Sequence, residues 1–225
     1  MWPTDEESLV ARQRELAATP AEPWTPPDEG LRTGGCWVCF ARGQAGPGSA
    51  GDPAWTASVA MREGRVLEQH VIRGAAGAAY VPGLLALRLG ALMEQAVRAL
   101  AGRPDVLLVD ATGRDHPHRA GLALHLGAEL AMPTVGVTHR PLRAEGPWPA
   151  DRRGATSPLR LGDEVVACWL RTRPGVRPLV VHPGWRVDLH TAVALVSGAA
   201  RRRTPEPLRR ARQAAREARS RADVR

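Results

Sequence analysis

The sequence predicts a mixed α/β layer fold, and three observations carry that reading. Short apolar runs alternate with segments of helical apolar spacing along residues 31–200. Residues 105–109, Asp-Val-Leu-Leu-Val, form an almost wholly apolar run that ends at Asp110, the pattern of a strand covered on both faces. Two further runs, 54–62 and 65–73, meet at Glu63-Gly64 as a hairpin does, so part of the sheet is antiparallel.

Each element has its own signal. Residues 5–18 read as a short helix with Leu9, Val10 and Leu16 apolar, and Thr4 with Glu7 suggests a capping box. Four prolines make 19–30 a linker. A strand is expected over 36–40 and a small-residue loop over 41–53. The recurrence of Leu84, Leu85, Leu87, Leu92, Met93, Ala96, Val97 and Leu100 marks a long helix. A helix over 119–130 and a strand over 134–138 follow, then an irregular loop over 143–158. Strands over 164–171 and 178–182 flank a turn at Pro174-Gly175, and a helix covers 188–197. The chain divides into an N-terminal helix and linker (1–30), a central domain (31–200) and an Arg-rich tail (201–225).

At 225 residues, with 44% hydrophobic and 24% charged, the chain is long enough for one packed core and too apolar for wholesale disorder. No apolar run is long enough for a membrane helix and no leader pattern opens the chain, so a cytoplasmic protein with no membrane partner is expected. Three cysteines imply no disulfide framework, and the pair Cys36 and Cys39 reads as buried structural residues on opposite faces of a strand. All 31 basic residues are arginine. The net charge is +8, but ten arginines against three acids put +7 of it in residues 201–225. That excess points to a polyanion such as nucleic acid, or simply to a solvated tail.

Two segments suggest chemistry. In Asp110-Ala-Thr-Gly-Arg-Asp-His116-Pro117 a carboxylate ends a buried strand and a glycine loop follows. Ligands of α/β sheets bind outside such strand ends, so Asp110 is placed to hold a metal or a proton, or else caps the next turn. In Tyr80-Val81-Pro82-Gly83 a rigid apolar protrusion could unstack bases, or form an ordinary turn.

Together these segments are more specific. Tyr80-Val-Pro-Gly-Leu-Leu-Ala-Leu-Arg88, Pro104-Asp-Val-Leu-Leu-Val-Asp110-Ala-Thr-Gly113, His116-Pro117-His-Arg119-Ala-Gly121 and Pro133-Thr-Val-Gly136-Val137 resemble the endonuclease V family, in unbroken order across about 31–210. The resemblance implies a ribonuclease H-like mixed sheet flanked by helices. It implies cleavage of nucleic acid near a deaminated purine such as inosine, with Mg²⁺ or Mn²⁺ as cofactor. It also implies a base pocket at Leu85, Gly113, His116, Leu122 and Leu142, with Tyr80, Pro82 and Gly83 as the wedge that fills the vacated stack.

The departures are equally pointed. Trp37 stands where the family carries an Asp, Leu89 where it carries Glu, His139 where it carries Lys, and Trp185 where it carries His. Of the implied metal carboxylates only Asp110 remains, which would hold Mg²⁺ weakly if at all. Asp52 and Glu94 are poor substitutes by position. The two tryptophans either fill the hole left by a metal site or offer stacking surfaces. Three functions follow. One is a degenerate homologue that binds DNA or RNA without cutting. Another is an active nuclease rebuilt around Asp110, His116 and His139, preferring Mn²⁺. The third is a protein-interaction module on the old scaffold. A monomer is expected, with a protein partner left open.

Overall fold

The computed structural model describes residues 2–43 and 46–222. Its strands are β1 (Thr33–Phe40), β2 (Pro53–Arg62), β3 (Arg65–Ala75), β4 (Val106–Val109), β5 (Thr134–Thr138), β6 (Thr156–Leu161), β7 (Glu164–Leu170) and β8 (Leu179–Pro183). They form one sheet in the order β3-β2-β1-β4-β5-β8-β7-β6. The three central strands β1, β4 and β5 are parallel, and every other neighbouring pair is antiparallel. Helices α1 (Glu6–Ala18), α2 (Leu85–Arg98) and α3 (Leu122–Glu129) cover one face, and α4 (Leu189–Ala199) and α5 (Glu206–Ala222) the other.

Residue alternation sorts the core. On β4, Leu107 and Val109 join Cys36, Leu89 and Met93 under α2 and α3. Val106 and Leu108 join Val135, Val196 and Leu208 under α4 and α5. Cys36 and Cys39 are both buried, but in different clusters, as three-residue spacing on a strand requires. Strand β2 is buried throughout Ala54–Met61, whereas β3 is the exposed sheet edge. The hairpin, the long helix and the strands β4 and β5 lie where the sequence predicts them.

Three features differ from expectation. The N-cap of α1 is Asp5, whose carboxylate accepts from the Ser8 N–H at 2.8 Å, in place of a capping box at Thr4. The loop expected to run to residue 158 ends at Thr156, where β6 begins. Most consequentially, the stretch read as an Arg-rich tail is the helix α5 over Glu206–Ala222, packed onto β1 and β2. Its buried stripe, Leu208, Ala211, Ala214 and Ala215, has helical spacing, but alanine side chains give a faint apolar signal among so many arginines.

Candidate nucleic-acid interface

Strands β1 and β4 end side by side at the middle of the sheet. Their last paired rung is Cys36 with Val109, so Trp37 and Asp110 are the next residues on two neighbouring strands. The chain then turns through Thr112 and Gly113 into α3. The Gly121 N–H donates to the Gly113 carbonyl at 2.8 Å and the Ala123 N–H to the Thr112 carbonyl at 3.0 Å. A Cβ at Gly113 would collide with the Pro183 carbonyl, so this residue lets the loop lie close against the end of β8.

Above the strand ends lies a cavity of about 150 Å³, the scale of one small planar group. Tyr80, Pro82, Gly83, Leu85, His116, Leu122, Leu142 and Asp110 all line it. Thus almost the whole set named from the sequence is brought together; Gly113 shapes the loop beneath and does not line the cavity. Tyr80 and Val81 stand on the rim with 43% and 44% of their surface exposed. Gly83 has φ +86, the left-handed region that makes the sharp entry into α2 favour glycine.

Polar contacts hold the walls. His116 Nε2 donates to the Gly83 carbonyl at 3.0 Å, and its Nδ1 accepts from the His118 N–H at 3.2 Å, so both ring nitrogens are engaged. Burial pushes its pKa down to about 4, so the ring is neutral at physiological pH. The buried Asp115 carboxylate accepts from the backbone N–H groups of Leu142, Arg143 and Ala144 at 2.6 to 2.8 Å, pinning the loop that carries Leu142. Thr138 donates its hydroxyl proton to the Arg140 carbonyl at 2.7 Å and accepts from the fully buried His182 at 2.9 Å.

Sequence reasoning missed two residues. Gln13 of α1 is 1% exposed and lines the cavity. Its amide nitrogen donates to the Gly83 carbonyl at 3.3 Å, which leaves Oε1 a buried acceptor without a partner. The other is Arg212 of α5, whose guanidinium sits 5.5 Å from the centroid of the Trp37 ring and is the positive charge nearest in effect to Asp110. Burial nevertheless pushes the Asp110 carboxyl up to about 7. The alanine spacing of α5 was the available signal for Arg212; for Gln13 there was only its place on a helix read as an appendage.

The remaining named positions are dispersed. Leu89 is buried in the core with Cys36, Met93 and Ala111. His139 directly follows β5 and does not line the cavity; partial burial and the charges of Arg203 and Arg212 lower its pKa. Trp185 packs with Leu16 and Leu124 beside α3, and its N–H donates to Thr134 at 2.9 Å, away from Asp110. Asp52 is held by Arg88 at 2.7 Å.

The donors at the Asp110 end do not suit a divalent cation. Mg²⁺ asks for several oxygen ligands, and here one carboxylate stands at a strand end next to that of Trp37, in the field of the Arg212 guanidinium. Among the described residues no three of His, Cys, Asp and Glu gather as a metal site would require.

The chain is similar to known proteins over most of its length. Residues 41–213 match the family described as Endonuclease V. An endonuclease V of Roseiflexus castenholzii is 42% identical over 168 residues, spanning 73% of this chain and 75% of that protein. The crystal structure of endonuclease V from Streptomyces avermitilis superposes with a TM-score of 0.87 at 35% identity, covering 99% of this chain and 96% of that one. At 20% identity, the Ciona intestinalis endonuclease V solved with a 23mer DNA containing an inosine shares the fold, with a TM-score of 0.80 over 97% and 99% of the two chains. The ribonuclease H-like fold inferred from the sequence motifs is the fold of these neighbours.

Proposed function

The chain belongs to the endonuclease V family, and on that premise we propose that it is a nucleic-acid-binding member that recognises a deaminated base such as inosine, or a distorted site, without cutting. One observation carries this reading. The base-sized cavity and its exposed wedge are assembled, while the strand end beside them carries Asp110 against Trp37 and Arg212. Phosphodiester hydrolysis in such nucleases needs a metal to activate water and neutralise charge. Trp37 and Arg212 offer no ligand to one, and Leu89 has become part of the core.

Recognition needs less. A flipped base is read by stacking and by polar groups along its edge. The cavity supplies apolar walls from Leu85, Leu122 and Leu142, with Gln13 and His116 both fixed on the Gly83 carbonyl beside them. Tyr80 and Pro82 on the rim are suited to fill the vacated stack. The inosine-containing DNA bound by the Ciona intestinalis protein is the kind of ligand this cavity suits.

One observation favours cleavage instead: a carboxyl raised to about 7 is near the value that suits a general base. A site rebuilt around Asp110, His116 and His139 would require His116 to give up at least one of its present hydrogen bonds and would lie in the field of Arg212, which adds to burial in lowering the pKa of His139. The binding reading is tested by fluorescence anisotropy with duplexes and single strands of DNA and RNA that differ only in one inosine or adenosine. Salt-sensitive binding with tighter affinity for inosine is expected. No binding to any of these probes would overturn it.

A further inference from the structure

The charges on α5 lead one step beyond that reading, and rest on it. Arg209, Arg212 and Arg216 recur at spacings of three and four and so share one helix face. With Arg202 they line a surface cleft of about 580 Å³. Of the two carboxylates described on the helix, Glu206 is paired with arginine, while Glu217 lines the cleft and holds only an amide. Glu206 accepts two hydrogen bonds from Arg209, at 2.7 and 2.9 Å, and Glu217 accepts from Gln213 at 2.8 Å. Among the described residues Arg202, Arg212 and Arg216 have no carboxylate within ion-pairing distance. Such a row of like charges raises the energy of the empty cleft, and a bound polyanion lowers it.

Arg212 is the member of the row set against β1. It is half-buried and braced over Trp37, so the usual entropy of an arginine side chain is already restricted. Its planar fork matches two oxygens of a phosphate. It also faces Asp110, which lines the base cavity. The arginine cleft therefore lies beside the strand end at which the base cavity opens.

We propose that Arg212, braced on Trp37, binds a backbone phosphate of the nucleic acid beside the seated base, in place of a divalent cation, and that Arg202, Arg209 and Arg216 follow the neighbouring phosphates. A fixed guanidinium neutralises charge but brings no activated water, so this arrangement holds the strand without hydrolysing it. Binding is then independent of divalent metal.

The test is anisotropy with a labelled duplex containing one deoxyinosine, in EDTA and in Mg²⁺, across a salt series. The wild-type protein should bind equally in both. Arg212→Gln should weaken binding about tenfold, the loss of one charge-assisted contact, and reduce the salt slope by about 0.9. Arg212→Lys should keep the slope while recovering only part of the affinity, because charge remains and the fork does not. Unchanged melting temperatures keep these losses from reflecting unfolding. Wild-type affinity and slope in Arg212→Gln, or wild-type binding that EDTA abolishes, would overturn the proposal. If the wild-type protein binds no nucleic acid, the recognition reading fails by itself. Arg212 is then judged with inorganic pyrophosphate, followed by its Nε–Hε resonance in NMR: a titrating shift supports the anion site and no shift refutes it.

Discussion

At one end of the cleft, small and apolar residues surround a cavity held by a polar frame: His116 on Gly83, Asp115 on three successive N–H groups, Gln13 on Gly83. At the other end, Asp110 faces Trp37 and Arg212. In the reading proposed above, the first end serves as a base pocket and the second has lost the parts of a metal site. Base recognition relies largely on shape and backbone groups, which the fold itself maintains. Metal chemistry relies on a few carboxylates, which substitution can remove while the fold persists. Leu89 illustrates this, since an apolar residue there joins a core cluster that is apolar already.

Mutations can break or sharpen the contrast. The largest effect is expected from Leu89→Glu, which restores the acid type expected at that position but buries it, 8% exposed, among Met93, Cys36 and Ala111. A buried unpaired carboxylate of this kind costs about 3–5 kcal/mol, and a thermal melt should show the loss. Next, Asp115→Ala orphans the N–H groups of Leu142, Arg143 and Ala144. A loss of about 2–3 kcal/mol is expected, with weaker discrimination of inosine from adenosine and little change in salt dependence.

A pH-dependent effect belongs to the Asp110 end. The Asp110 pKa lies at about 7 in the folded protein and 3.8 unfolded, so the folded state holds the proton more tightly between those values. Its contribution is most favourable below pH ~4 and is lost as pH rises through about 7. Asp110→Asn mimics the protonated form. It should raise the melting temperature at pH 8, and the gain should fade on acidification; a constant gain would mean that the carboxyl is not titrating there. The smallest effect is expected from Gln13→Leu. Loss of its hydrogen bond to the Gly83 carbonyl beneath the wedge should weaken inosine binding by a factor of about 5 in an anisotropy titration.

Much of this was legible in the sequence. The hairpin, the buried strand ending at Asp110 and the wedge before α2 have strong local patterns: period-two alternation, an all-apolar run, and Pro-Gly at a turn. The cavity wall followed from the resemblance, and its residues converge as expected. Arg212 was missed because the stripe that makes α5 a packed helix is mostly alanine, leaving charge as the louder signal. Gln13 was missed because its contact spans 70 residues of chain and no local pattern reports it. Trp185 packs with Leu16 and Leu124, residues far from it in the chain, a tertiary fact that alignment by motif does not contain.

The most direct measurement is a cleavage assay. The protein is incubated with deoxyinosine-containing DNA and inosine-containing RNA, in Mg²⁺ and in Mn²⁺, beside Asp110→Ala. Intact strands are predicted in every lane, at protein concentrations where anisotropy shows the same strands to be bound. Cleavage by the wild-type protein that disappears in Asp110→Ala would contradict this and show a working nuclease centred on Asp110.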